Sequence, residues 1–310
     1  MAAGEWTSQT IESPSGAHLH TYVSIAKKPK AIIQINHGMA EHAGRYKRFA
    51  SALNDAGYTT YAHDHRGHGK TTAIDSTQGM FAGKNGWNKV ITDVTAVNSH
   101  IATEHSNLPI VSFGHSMGSI IAFNFALKHP AKIQGLALWN AGVETGVLAA
   151  IYRTILKTER FFKGSDVPSA IAKKLTFEAW NKAFAPNRTE FDWLSRDNSE
   201  VDKYIKDPHC GFDVTIGLWL DVLNGIYFAA NDSNMRNLNS NFPVHLLAGD
   251  QDPCSEKGQA VANIETRMSK RGMSNVQYEL LKDTRHESLN ELNRDETTER
   301  FIEWLDQNYG

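Results

Sequence analysis

Short apolar runs, each followed by a stretch of helical periodicity, recur along this chain. That alternation restricts the fold more than any single motif does. AIIQIN (Ala31 to Asn36) ends in His37-Gly38 and leads into GRYKRFASALNDAGY, where Tyr46, Phe49, Ala50 and Leu53 share a helical face and Gly57 supplies the stop. TTYAHD reads as the next strand, closed by the polar, glycine-rich HRGHGK. From Asn88 to Glu104, Val90, Val94, Val97 and Ile101 recur at helical spacing. IVSFG (Ile110 to Gly114) reads as a strand, Met117 to Lys128 as a helix stopped by His129-Pro130, and GLALW (Gly135 to Trp139) as a further strand. Ahead of these, AHLHTYVSI alternates as an edge strand should, with His18 and His20 on one solvated face. Strands alternating with long helices imply an α/β fold: a mostly parallel central sheet flanked by helices on both faces.

The pattern breaks between about Val143 and Leu238. There the sequence reads as helices and loops carrying large side chains, among them Phe161, Phe162, Trp180, Trp193, Phe212 and Trp219. Alternation resumes with PVHLLAG, a helix over Gly258 to Arg271, VQYELL and a last helix ending at FIEWLDQNY. The expected organisation is one α/β core in two parts, 1–142 and 239–310, interrupted by a helical insertion at 143–238. A chain of 310 residues is long enough to bury such a core.

Charge and cysteine content remove several function classes. A net charge of −2 gives no global basic field for nucleic acid or anionic membrane. MAAGEWTSQT has neither a basic nor an apolar leader region, and the apolar stretch Gly135 to Tyr152 is broken by Asn140 and Glu144. Cys210 and Cys254 are too few for a disulfide framework and too isolated for a zinc cluster. The expectation is a cytoplasmic protein with no metal, no other cofactor and no nucleic-acid partner.

Ser116 lies in Gly114-His115-Ser116-Met117-Gly118, at the junction of an expected strand and an expected helix. A nucleophile on so tight a turn needs small neighbours, and the helix that follows aims its first backbone donors at the site. A serine hydroxyl also needs a base, and the base an orienting carboxylate. Asp250-Gln251-Asp252 follows one late strand and His286 follows the last, at strand ends where such sites collect. Asp252 is preferred as the acid, because Asp250 is placed to cap the turn. After the first core strand, the Met39 N–H is expected to join the Met117 N–H as an oxyanion donor. The stretch His63-Asp64-His65-Arg66-Gly67-His68-Gly69 reads as a structural loop, with Asp64 and Arg66 bonded to neighbouring backbone, rather than as a metal site. Cys254 reads as a small buried hydrophobe.

HGMAEHAGRY, DHRGHGK, GHSMG, AGDQDPCS and RHESLNE, in this order and covering nearly the whole chain, resemble the monoacylglycerol lipase and bacterial lysophospholipase group of α/β-hydrolases. The resemblance implies Ser116 as nucleophile, Asp252 as acid, His286 as base, and Met39 and Met117 as oxyanion donors. It also implies that Glu41, His42, Arg45 and Tyr46 brace the loop after the hole, and that the insertion is a cap. The expected activity is hydrolysis of an ester with an apolar acyl group, with at most peripheral membrane contact through the cap. Two departures are Thr71, where many members carry serine, and Asn140, expected to alter the acyl or leaving-group pocket. An amidase or aminopeptidase is the competing enzyme; it would need an acidic cap residue, with Glu144, Glu178 and Glu200 as candidates. A receptor or scaffold without turnover is the other alternative, and a dehalogenase is disfavoured because it needs aspartate at position 116.

Overall fold

The computed structural model describes residues 4–310. The strands are β1 (Thr7–Glu12), β2 (Ala17–Ser24), β3 (Ala31–Asn36), β4 (Tyr58–His63), β5 (Thr72–Ala73), β6 (Ile110–His115), β7 (Gly135–Trp139), β8 (Val244–Gly249) and β9 (Val276–Leu281). They form one sheet in the order β1-β2-β4-β3-β6-β7-β8-β9, with β5 paired to β2. From β4 through β9 every neighbouring pair is parallel; β2 joins β4, β1 and β5 antiparallel. Strands β3, β4, β6, β7 and β8 are buried at every position, which is why they read as continuous apolar runs rather than alternating ones.

Helices α1 (Lys47–Asp55), α2 (Gly86–Glu104) and α3 (Met117–Lys128) connect the first parallel strands. Helices α4 (Val147–Lys163), α5 (Ala170–Leu175), α6 (Phe177–Lys182), α7 (Asn198–Lys206) and α8 (Ile216–Ala230) fill the interval between β7 and β8. Helices α9 (Gln259–Lys270) and α10 (Arg294–Tyr309) complete the chain. Two hydrophobic layers result. One packs α2, α3 and α8 on one face of the sheet, around Val90, Val94, Ile121, Phe125 and Leu218. The other packs α1 and α10 on the opposite face, around Phe49, Phe113, Trp139, Phe301 and Trp304.

One expected strand position is corrected. The strand over AHLHTYVSI is not the edge, because β1 pairs along it from Thr7↔Val23 to Glu12↔His18. Only Ile11 of β1 is buried. With a single buried side chain, β1 carries almost no hydrophobic signal and owes its conformation to pairing with β2.

Candidate active site

Strand β6 ends and helix α3 begins at Ser116, whose backbone sits at φ 55°, ψ −124°. A side chain is strained in that conformation, and the turn persists because both flanks are clamped. A Cβ at Gly114 would stand 2.2 Å from the Gly118 carbonyl oxygen, and one at Gly118 would stand 2.0 Å from that of Asn36. No side chain fits at either position. The Ser116 N–H donates to the Trp139 carbonyl on β7 (2.9 Å), which ties the turn to the neighbouring strand.

The structure brings Ser116, His286 and Asp252 together. His286 Nε2 lies 2.9 Å from Ser116 Oγ, and His286 Nδ1 lies 2.9 Å from Asp252 Oδ1. Asp252 is wholly buried. Burial opposes its ionisation, but the adjoining His286 and the donors Ser255 Oγ (2.7 Å) and Cys254 N–H (2.9 Å) hold its carboxyl below the usual range. Asp250, by contrast, accepts from the Thr284 N–H (3.3 Å) in the loop after β9.

The donors expected at Met39 and Met117 occupy suitable backbone. Met117 opens α3, where a helix has no internal partners for its N–H groups. The loop before Met39 is fixed from both sides. His37 Nδ1 donates to the Gly38 carbonyl (2.7 Å) while its Nε2 accepts the His65 N–H (2.9 Å), which sets the ring's neutral tautomer. The Gly38 carbonyl and the Met39 N–H belong to one planar trans peptide and point in opposite directions, so holding the first aims the second. The Gly38 N–H donates to Glu41 Oε1 (2.6 Å).

Glu41 is the centre of a buried network that sequence reading located only as a brace. Its Oε1 also accepts from the Tyr46 hydroxyl (2.9 Å), and its Oε2 from Arg45 (2.6 Å). Arg45 in turn makes a two-pronged contact to Glu287 (2.6 and 2.7 Å), the residue after His286. Burial works against the Glu41 charge, but Arg45 overcomes it and keeps the carboxylate ionised. The oxyanion loop and the histidine loop thus share one guanidinium.

The insertion reaches the same histidine. The Glu287 N–H donates to the Leu194 carbonyl (2.7 Å) and the His286 N–H to the Trp193 carbonyl (3.4 Å). The Trp193 ring packs 4.8 Å from the imidazole. Arg285 donates to the Asp192 carbonyl (2.5 Å). Ser116 lines a cavity of about 60 Å³ together with Gly38, Met39, Phe177, Phe191, Trp193, Phe212 and Trp219.

Two expectations are revised. Asn140 does not line that cavity. It is fully buried, donates from Nδ2 to Asp252 Oδ2 (3.4 Å) and accepts from Ser288 Oγ (2.8 Å). Its contacts are therefore to Asp252 and Ser288 rather than to the cavity. In the histidine-rich loop, Asp64 does accept backbone N–H groups, from Ala43 and Lys70 (both 2.8 Å). Arg66 instead bonds mainly to side chains, Asp93 (2.7 Å) and Ser15 (2.7 Å), and to the Phe81 carbonyl (3.0 Å). The rings of His37, His63, His65 and His68 gather in one buried cluster. His63, His65 and His68 are neighbours in sequence, but the place of His37 among them has no sequence signal, because it comes from a different strand end. Of the acidic candidates for holding an amine, Glu178 lines the cavity; Glu144 bonds Asn263, and Glu200 bonds Arg48 and Lys203. Cys254 packs beside Trp193 and Leu194, its thiol pKa pushed up by burial.

Known proteins with this sequence pattern and geometry are hydrolases. The family described as serine aminopeptidase, S33, matches residues 27–293. Mouse monoglyceride lipase is 31% identical over 234 residues, covering 74% of this chain and 68% of that protein. A thermostable carboxyl esterase from Bacillus coagulans, solved with glycerol, superposes with a TM-score of 0.89 at 25% identity over the whole of both chains. The monoacylglycerol lipase of Paleococcus ferrophilus, at 20% identity and a TM-score of 0.69 over 94% of this chain and 99% of that one, shares the fold. With most of its length inside the family match, the chain belongs to the serine aminopeptidase S33 family of α/β-hydrolases, as a hydrolase of the monoglyceride-lipase type.

Proposed function

We propose that the protein is a serine carboxylic-ester hydrolase acting on an ester with an apolar acyl group, a monoacylglycerol or a lysophospholipid. The observation that carries this reading is the unbroken chain Asp252–His286–Ser116 at the foot of an aromatic-walled cavity. His286 Nε2 takes the Ser116 proton as Oγ attacks the ester carbonyl, and the Met39 and Met117 N–H groups hold the oxyanion. His286 then protonates the departing alcohol, and water hydrolyses the acyl-enzyme by the same route. Asp252 keeps the proton on Nδ1 and stabilises the imidazolium. The helices of 143–238 act as a cap, and their aromatic side chains favour an apolar acyl group through buried area. Leu148, Phe161 and Phe162 are exposed on α4 and suit peripheral contact with a lipid surface.

Ser116→Ala should lower turnover of a p-nitrophenyl ester by about a thousandfold or more while leaving the fold intact. Labelling of the unmodified protein by a fluorophosphonate, abolished in the variant, tests the same role. Undiminished turnover by Ser116→Ala would overturn it. Rates across esters from acetate to palmitate, with monoacylglycerol and lysophospholipid beside them, identify the substrate. The aminopeptidase reading is favoured by one observation, the Glu178 carboxylate on the cavity wall, and release of an amine from amino-acid anilides would establish it.

A further inference from the structure

Three side chains from distant parts of the chain meet on the flank of the oxyanion loop. His42 leaves that loop, while Asp207 and Cys210 lie in the turn that ends α7. His42 Nε2 stands 2.9 Å from Asp207 Oδ2, and with Cys210 Sγ the ligand atoms all lie within 4.8 Å of one another. None of the three lines the cavity over Ser116. The Asp207 carboxylate is held in place from behind, its Oδ1 accepting the His209 N–H (2.8 Å) while Oδ2 faces His42. Solvent reaches His42 and Asp207 through an open groove that Arg48 also lines.

We propose that His42, Asp207 and Cys210 form a site for a divalent cation of the zinc class, with a water from the groove as fourth ligand. The donor set decides the metal class. One imidazole nitrogen, one carboxylate oxygen and one thiolate suit a borderline-soft ion, whereas magnesium and calcium want oxygen alone. Tetrahedral bonds of about 2.0–2.3 Å place neighbouring ligand atoms about 3.5 Å apart. The His42–Asp207 contact opens by a few tenths of an ångström and Cys210 draws inward. Asp207 enters ionised and His42 neutral, giving its Nε2 lone pair. The Cys210 S–H bond breaks as the metal–sulfur bond forms, and its proton goes to solvent. Without metal, burial keeps that thiol protonated, against the pull of nearby Arg45.

The site has a mechanical consequence. The Ala40 carbonyl already accepts from the Gly211 N–H (2.9 Å) and the Tyr204 hydroxyl (2.9 Å), so the turn after α7 rests on the loop that carries Met39. A cation bound to His42 and to Asp207 and Cys210 pins the two together. The two cysteines looked too isolated for zinc because the third ligand lies 165 residues from its partner.

The test uses the whole chain, stripped with a chelator, kept reduced with a phosphine, and titrated with Zn²⁺ or Co²⁺ alone. The expected result is one zinc per chain, a raised Tm, and a thiolate-to-cobalt charge-transfer band in the near ultraviolet. Cys210→Ser should abolish the band, and both Cys210→Ser and Asp207→Asn should weaken zinc binding by about tenfold or more. The metal-free Tm of each variant shows that it folds; if Cys210→Ser does not, the Asp207→Asn comparison and the wild-type cobalt spectrum decide. Zinc bound equally by wild type and a folded variant, no saturable binding, or a cobalt complex without the thiolate band would each overturn the proposal.

Discussion

Asn140 shows how one side chain can act on chemistry it never touches. Its backbone is left-handed (φ 55°), so Asn140→Gly keeps the turn while removing both the contact to Asp252 and the acceptor for Ser288. Loss of one buried hydrogen bond to a charged group is worth about 1.5–3 kcal/mol, so kcat should fall by about tenfold or more. KM should stay unchanged, because Asn140 is no part of the cavity wall. Steady-state kinetics on a short ester decide the matter: a changed KM with unchanged kcat would restore a direct role in the pocket. The residues on the line from serine to acid were legible from sequence because each follows a strand and the chemistry needs all three types. Arg45 was legible only as a brace. Its partner Glu287 lies 242 residues away, and no local pattern announces an ion pair of that reach.

The strand–turn–helix unit of β6 and α3 is where backbone packing is least tolerant. Gly118→Ala pushes a Cβ to 2.0 Å from the Asn36 carbonyl oxygen on β3, an atom that cannot retreat without breaking the sheet. A loss of more than about 4 kcal/mol is expected, read as a collapse in Tm or in soluble yield. Gly83→Ala is the control; nothing lies within 4 Å of its added Cβ, and its effect should stay within about 0.5 kcal/mol. Near-equal Tm values for the two would refute this account of the elbow. Elements of this kind are easy to read, since a buried parallel strand and an all-round apolar helix leave strong marks. Helix α3 runs from Met117 to Lys128, the bounds its sequence suggested. Strand β1 leaves no such mark, because Ile11 is the one buried residue of its six.

At the scale of the whole molecule, the buried histidines set the acid limit. Burial holds His63 and His68 at about 4, well below the ordinary 6.5, and pushes His37 and His65 down too. The unfolded chain takes up protons on these rings as pH drops below 6.5, while the folded protein resists to lower pH, to about 4 for His63 and His68. Stability is therefore full above pH 6.5 and declines as pH falls, by about 1.4 kcal/mol per pH unit for each ring. His115 works the other way: burial opposes its charge, but Glu41 raises its pKa. One such ring does not offset four. Tm should fall by on the order of 10 °C between pH 7 and 5, before most carboxylates titrate. A flat profile there would show that the cluster already carries protons in the folded state. No described helix is long and apolar enough to cross a membrane.

The hydrogen bonds from His286 and Glu287 to Trp193 and Leu194 make the imidazole's own strand of backbone the post on which the insertion hangs. Residues 193 and 194 cannot move away on that side without breaking these bonds or carrying His286 away from Ser116. On α4 and α5, Leu148, Ile171 and Leu175 are exposed to solvent.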